Sequence, residues 1–279
     1  MQWEGGRRGG GLEDRRGLGG VKIAGGGIGT LAIALIGYFL FGIPPEVTTQ
    51  MVNQTAPQEQ GRPGTPQDRE GQFVDVISAN VNDVWSARVD GYKAPRVVVY
   101  EQGTGTGCGY GQAAMGPFYC PADATIYLDL GFWREMETRL GASGSEFARA
   151  YVIAHEFGHH VQRLTGATQK VEAAQRRAGG RAEANQASVA LELQADCYAG
   201  VWAANASAAS NGQVALEPGD LEEGLKTARA IGDDALQRRS QGHVVPENFT
   251  HGSSEQRMRW LRRGFETRDP AQCDTFARL

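Results

Sequence analysis

The sequence of 279 residues has no Cys-x-x-Cys pair and no stripe of basic residues. Without such a pair, its four cysteines form neither a zinc ribbon nor a dithiol redox motif. Acidic and basic residues are interspersed and the net formal charge is −4, which argues against a nucleic-acid partner. The chain is long enough for one or two domains, and its 41% of hydrophobic residues is ordinary for a globular protein.

The first 20 residues contain few apolar side chains and are rich in glycine and arginine. Such a composition does not bury enough apolar surface to offset the entropy of ordering the chain. We therefore expect residues 1–20 to be a disordered tail.

Charged residues are also missing from Ile23–Ile43, which has the length and apolar character of a membrane-spanning helix. We predict one transmembrane helix over residues 21–43. The alternative is a cleaved signal peptide, but the apolar run is longer than a signal core and has no small-x-small cleavage site after it.

Basic residues precede this apolar run, whereas Pro44–Gln67 contains only Arg62. This asymmetry predicts a cytoplasmic N-terminus and an extracytoplasmic remainder, either periplasmic or external. Residues 44–71 are rich in Pro, Gln, Thr and Gly, so we expect a linker there, followed by a folded domain over residues 72–279.

The cysteines agree with an extracytoplasmic domain, because disulfides persist in oxidising compartments. Cys108 and Cys120 flank a loop with Gly-Pro in its middle, which suits a bridge across a loop that has little core of its own. By elimination, the second bridge is Cys197–Cys273.

The alternation of short β-branched segments with helical patterns predicts an α+β fold that is mainly helical, with a small sheet. Strands are expected at Arg96–Glu101 and Thr125–Leu130. The strand at Ile126–Leu130 is also a candidate for pairing with an extended substrate peptide.

Ala150–Leu164 contains His155-Glu156-x-x-His159 within an apolar helical run. Residues four apart lie on one helix face, so the two imidazoles can bind one metal ion, and Glu156 beside them can act as a general base. A chance match is the alternative, but burying two imidazoles and a carboxylate without a partner is costly. The motif therefore indicates a zinc site.

Catalytic zinc takes three protein ligands, so the site needs one more. Glu192 and Asp196 lie four positions apart on a helix expected over Ala184–Ala204. One of them can bind the metal while the other accepts a hydrogen bond from a ligating imidazole. A solvated helix face is the alternative, but the neighbouring residues are largely apolar.

His251 precedes Ser253-x-x-Gln256, which predicts a capping box at the start of a last helix. A histidine here can donate a hydrogen bond to the oxyanion that forms when water attacks a carbonyl. The alternative is a capping or packing role.

Several longer motifs resemble those of the bacterial putative neutral zinc metallopeptidase family. They are the Cys-Gly…Gly-Pro-Phe-Tyr-Cys-Pro loop, IYLDL, HEFGHHVQ, ELQADCYAGVWA and FTHGSSEQR, which lie at Cys108–Pro121, Ile126–Leu130, His155–Gln162, Glu192–Ala203 and Phe249–Arg257. The resemblance to this family covers nearly the whole chain. The pattern of metal ligands also resembles that of Glu-zincin enzymes. It implies that His155, His159 and Glu192 bind Zn²⁺, that Glu156 is the base and that Asp196 hydrogen-bonds a ligating imidazole.

The sequence therefore predicts a membrane-anchored zinc metallopeptidase, an endopeptidase that acts on peptides or proteins. Two alternatives stay open. The chain could be a non-catalytic envelope protein that keeps zinc as a structural clamp, or Asp196 could be the third ligand in place of Glu192. Neither the natural substrate nor the oligomeric state follows from the sequence.

Overall fold

A computed structural model describes residues 1–17, 62–64, 66–112 and 116–277. The predicted transmembrane helix over residues 21–43 and most of the predicted linker lie outside these ranges. Within them, no helix is both long enough and apolar enough to cross a membrane.

The main sheet has five strands in the order β2-β1-β3-β7-β6. β1, β3 and β7 are parallel, whereas β2 and β6 run antiparallel to their neighbours. A separate hairpin consists of β4 and β5. The strand bounds are Leu12–Asp14 (β1), Arg62–Pro63 (β2), Arg96–Tyr100 (β3), Gly103–Thr106 (β4), Gly109–Gln112 (β5), Phe118–Cys120 (β6) and Thr125–Asp129 (β7).

The prediction of a disordered N-terminal tail is wrong for residues 1–17. The few apolar side chains of this segment are buried, since Trp3 packs edge-on against Phe73 and Leu12 enters the core. Its arginines also have partners: the buried Arg15 donates to the Thr104 hydroxyl and Arg16 pairs with Asp68. Backbone pairing and ion pairs therefore order a segment that is poor in apolar residues.

The pairing of this N-terminal strand also bears on the predicted membrane topology. β1 is hydrogen-bonded to β2 on one side and to β3 on the other. A single membrane crossing between residues 17 and 62 would put β1 and β2 on opposite sides of the bilayer. The single span with a cytoplasmic N-terminus that the sequence predicts is therefore not supported by the described part of the chain, in which β1 and β2 are neighbours.

Eight α-helices are found in the described ranges, so the mainly helical α+β fold is confirmed. The first begins at Arg69, with Asp68 as its N-cap, slightly before the predicted domain boundary at residue 72. The bounds are Arg69–Ser86 (α1), Phe132–Thr138 (α2), Glu146–Thr165 (α3), Ala167–Arg177 (α4), Arg181–Ala209 (α5), Asp220–Ala230 (α6), Asp233–Gln241 (α7) and Ser254–Thr267 (α8).

Helix α3 carries the His-Glu-x-x-His motif. It begins after Ser145, whose side chain accepts from the Ala148 backbone N–H, and ends at Gly166 in the left-handed conformation with φ of 82°. Gly158 lies within this helix at a close approach to α5, where an added Cβ would be 3.0 Å from the Ala195 Cα. This contact brings the face of α5 that carries Glu192 against the histidines of α3.

Both predicted disulfides are confirmed. Cys108–Cys120 ties the β4–β5 hairpin to β6, and Cys197–Cys273 ties α5 to the C-terminal segment. Helix α8 packs so closely on α5 that a Cβ at Gly264 would lie 1.9 Å from the Cys197 carbonyl oxygen. The C-terminal part of the domain is thus held directly against the helix that carries Glu192.

One edge strand of the sheet is β6 and the other is β2, whereas β7 lies between β3 and β6. The suggestion that Ile126–Leu130 pairs with a substrate peptide is therefore wrong, because the backbone groups of β7 already pair with strands on both sides. The order of the strands depends on contacts distant in sequence, which the local pattern of residues does not encode.

Candidate metal centre

His155, His159 and Glu192 converge on one point. Each offers a ligand atom, and these three atoms all lie within 4.8 Å of one another. The His155 Nε2 is 3.1 Å from one Glu192 carboxylate oxygen, and the His159 Nε2 is 3.5 Å from the other. The structure thus brings together the three residues predicted as metal ligands.

Asp196 lies behind His155 and holds its ring. Its Oδ1 accepts from the His155 Nδ1 at 2.9 Å and from the Tyr151 hydroxyl at 2.6 Å. Because a carboxylate offers only acceptors, the Nδ1 carries the proton and the Nε2 faces the cluster as a ligand atom.

Arg257 occupies the other side of the Asp196 carboxylate. Its Nε and Nη2 atoms donate to the two oxygens of Asp196 at 2.8 and 2.9 Å. Burial by itself would raise the pKa of Asp196, but the charge of Arg257 and the hydrogen bond from His155 outweigh it and lower the pKa to about 2. Both Asp196 oxygens are therefore engaged, and this geometry favours Glu192 over Asp196 as the third ligand.

Gln162 has the corresponding role for His159. Its Oε1 is 2.9 Å from the His159 Nδ1, while its Nε2 donates to the Leu191 carbonyl and to the Gln194 side chain. With the amide nitrogen of Gln162 already donating twice, its oxygen is the acceptor. His159 is thereby fixed with its Nε2 towards Glu192.

Glu156 is buried next to the cluster and lines the same cavity. Burial raises its pKa to about 7, although the neighbouring His155 and the Tyr119 backbone N–H act in the opposite direction. A carboxyl group with such a pKa can accept and release a proton near neutral pH, as a general base requires.

The imidazole of His155 has a strong affinity for a proton. Burial lowers its pKa, but hydrogen bonds to Asp196 and Glu192 outweigh burial and raise the pKa to about 10. A bound metal cation would take the place of this proton, since a histidine ligand must be neutral.

His251 lies at the wall of this cavity, and its side chain is 36% exposed. Asp233 holds the loop, because its Oδ2 accepts from the backbone N–H groups of Thr250, His251 and Gly252. Burial lowers the pKa of His251, but the Glu192 and Asp233 carboxylates outweigh it and raise the pKa. The histidine predicted to stabilise an oxyanion is thus brought to the cluster.

Four residues of the site were missed by the sequence analysis, namely Tyr151, Gln162, Asp233 and Arg257. Tyr151 and Gln162 were detectable in principle, since they lie four residues before His155 and three after His159 and so share the ligand face of α3. Arg257 and Asp233 reach the site only through tertiary packing. Helical periodicity does not signal them, although Arg257 is the last residue of the motif FTHGSSEQR.

The cluster suits zinc in the kind of its donor atoms. Two imidazoles and one carboxylate make up a ligand set of catalytic zinc, whereas Mg²⁺ and Ca²⁺ prefer oxygen ligands throughout. The Nδ1 atoms of both histidines are already hydrogen-bonded, which leaves the two Nε2 atoms and Glu192 as the set for a metal.

The comparisons with known proteins agree with this chemistry. The profile of the protein family described as "Putative neutral zinc metallopeptidase" matches residues 1–276. The chain is 46% identical to the uncharacterized protein YpfJ of Escherichia coli (strain K12), over 100% of this chain and 99% of that protein. It is 42% identical to the uncharacterized protein Rv2575 of Mycobacterium tuberculosis (strain ATCC 25618 / H37Rv), over 78% of this chain and 75% of that protein.

No solved structure matches the chain. The family match spans both the N-terminal segment and the residues of the metal centre. The chain belongs to the neutral zinc metallopeptidase family.

Proposed function

We propose that this protein is a zinc-dependent peptidase that hydrolyses peptide bonds with Glu156 as its general base. The observation that carries the proposal is the convergence of His155, His159 and Glu192 on one point, beside Glu156, in an accessible cavity. A Zn²⁺ ion held by these three residues would acidify the attacking water and polarise the scissile carbonyl.

The residues of the chain would divide the remaining work. Glu156 takes a proton from the attacking water and passes it to the nitrogen of the leaving amine. Asp196 and Gln162 keep the two imidazoles in their binding orientation. His251 donates a hydrogen bond to the carbonyl oxygen as negative charge develops on it.

The edge strand β6 is the part of the sheet that suits an extended peptide. Tyr119 lies in its middle, opposite Ile126 of β7, and its backbone N–H points towards the Glu156 carboxylate. The outer edge of β6 thus runs beside the base. A peptide added to this edge as a further strand would have its scissile bond near the metal.

The location of the protein is part of this proposal. Two disulfides in one domain support an extracytoplasmic site of action. Because β1 and β2 are neighbours in one sheet, we propose that the apolar run at residues 23–43 attaches to a membrane from the side on which the domain lies.

A non-catalytic role for the metal is less well supported. A structural zinc site is closed by four protein ligands, whereas the cluster found in the described ranges has three. Glu156 would have no purpose beside a structural site, and burying its carboxyl group without one is costly.

The decisive variant is Glu156→Gln, which removes the base and keeps all three ligands. It should retain about one zinc per chain and lose peptide hydrolysis by about 10²-fold or more. Zinc content is measured by elemental analysis and hydrolysis with a broad peptide library. Glu172→Gln is the matched control, since Glu172 is an exposed glutamate on α4. Full activity in Glu156→Gln would refute the mechanism.

A further inference from the structure

The cavity of the metal centre continues beyond the cluster as an apolar pocket. It measures about 490 Å³ in all. Val152, one turn before Glu156 on α3, is part of its wall. Further apolar side chains come from α2 and the residues just after it and from the junction of α6 and α7, namely Phe132, Leu140, Ile231 and Leu236.

We propose that this pocket selects substrates with a large aliphatic or aromatic side chain next to the scissile bond. The inference rests on the proposed function, since it takes the cluster as the place where the bond is cut. Continuity of the pocket with the ligands and with Glu156 means that a side chain in it belongs to a residue flanking that bond.

The charges around the pocket favour an apolar occupant. Arg257 is the one arginine or lysine among the described residues that line the cavity. Its Nε and Nη2 are bound to Asp196, and its Nη1 donates to the Ile231 carbonyl at 3.3 Å. The Arg257 cation is therefore committed to the protein, and His251 at the wall already faces the Asp233 carboxylate at 3.4 Å. An acidic substrate side chain would lose its hydration without a cation held in reserve for it.

A basic substrate side chain would also find no available partner in the pocket. Its carboxylate neighbours are the metal ligand Glu192 and the base Glu156, and both are needed for the reaction. The tyrosine hydroxyls at the wall are also engaged, since Tyr151 donates to Asp196 and the Tyr119 hydroxyl is hydrogen-bonded to His160.

The walls of the pocket are held in place. The Arg257–Ile231 hydrogen bond ties the α6–α7 junction to the residue that also positions Asp196. In another part of the wall, Gly116 has φ of 66°, and a Cβ there would lie 3.0 Å from the Phe132 ring. A preformed apolar pocket discriminates between side chains by size, at about tenfold or more for each methylene group it contacts.

The test uses zinc-loaded protein and one peptide series that varies only the residue flanking the scissile bond, with Leu, Phe, Ala, Asp and Lys. We expect kcat/KM for Leu and Phe to exceed that for Ala by at least about tenfold, and Asp and Lys to be the poorest. Mass spectrometry of the products identifies which side of the bond carries the apolar residue.

Two variants test whether the preference for apolar substrate side chains arises in this pocket. Leu236→Arg should reverse the ranking of Asp and Leu, because it puts an unpaired cation where the apolar side chain would lie. Leu236→Ala should reduce the Leu-to-Ala ratio severalfold, and it serves if the arginine variant does not fold. Ser240→Arg is the control, as it adds the same charge at an exposed position of the same helix and should leave the ranking unchanged.

Binding of the same peptides to zinc-loaded Glu156→Gln, measured by calorimetry, separates this inference from the proposed function. If no peptide is hydrolysed, the proposed function is wrong, and the ranking of binding affinities alone then tests whether the pocket prefers apolar side chains. Equal affinities, or tighter binding of the charged peptides, would overturn the inference. The inference would also be overturned if peptides were hydrolysed but substitutions at Leu236 did not change the preference among them.

Discussion

Replacing Asp196 by asparagine should weaken zinc binding by about 10- to 100-fold without abolishing it. Asparagine keeps the shape of the side chain and one oxygen that can accept from the His155 Nδ1, now at 2.9 Å, but it removes the negative charge. Loss of this charge lowers the basicity of the imidazole and loosens its orientation. The expected loss corresponds to about 1.4 to 2.7 kcal/mol of binding free energy.

Glu192→Gln gives the comparison that decides between the two carboxylates. It removes the anionic ligand of the cluster, so it should cost more affinity than the change at Asp196. Both variants are titrated with zinc in competition with a chelator of known affinity, and circular dichroism confirms their fold. If Asp196→Asn loses the metal and Glu192→Gln keeps it, the ligand assignment argued from the geometry is wrong.

Folding has to be checked in this comparison because of Arg257. The guanidinium is buried, and the loss of its charged partner leaves an uncompensated cation, which typically costs about 3 to 5 kcal/mol of stability. The double variant Asp196→Asn/Arg257→Met removes both charges. It should recover much of the stability while zinc affinity stays low, which separates the effect on the metal from the effect on the fold.

Three further predictions concern other parts of the chain. The hydrogen bond from Arg16 lowers the pKa of Asp68, so this pair stabilises the fold above about pH 4, and the contribution is lost as the pH falls further. In Asp68→Asn, the melting temperature should therefore fall less steeply as the pH is lowered below about 4. Mild reductant should open Cys108–Cys120 before Cys197–Cys273, because Cys108 is exposed whereas the other pair is fully buried. Only reduction of the second disulfide should weaken zinc retention. Alkylation with mass spectrometry detects each reduction step, and zinc retention that does not change on full reduction would contradict this prediction. Reporter tags at the N-terminus and the C-terminus should lie on the same side of a membrane in protease-protection assays, because β1 and β2 share one sheet; tags on opposite sides would exclude the N-terminal strand.

The metal centre was predictable where its signals are local. His155, Glu156 and His159 lie within one helix, and Glu192 and Asp196 within another, so helical periodicity places each group on one face. The pairing of the two helices rests on Gly158 and Ala195, a close contact that no periodicity reveals. Arg257 joins the site from a helix distant in sequence, which explains why it was missed.

The N-terminal segment shows where composition misleads. Counting apolar residues predicted disorder, but the segment is ordered by a parallel strand pairing and by arginines with fixed partners. Long-range pairing of this kind is also what makes β6, and not β7, an edge of the sheet. The errors about the N-terminal segment and about the edge strand both concern contacts between residues far apart in the chain. The first affects the proposed attachment to a membrane, and the second changes which strand is expected to pair with a substrate peptide.

The most direct test of the central claim is the dependence of peptide hydrolysis on zinc occupancy. Metal-free protein, prepared with a chelator, is titrated with Zn²⁺ while the rate of peptide cleavage and the bound metal are measured together. We expect no activity without metal and a rise in proportion to bound zinc that ends at about one ion per chain, because the His155–His159–Glu192 cluster provides one site in the described part of the chain. Activity that persists in the metal-free protein, or zinc-saturated protein that cleaves no peptide, would contradict it.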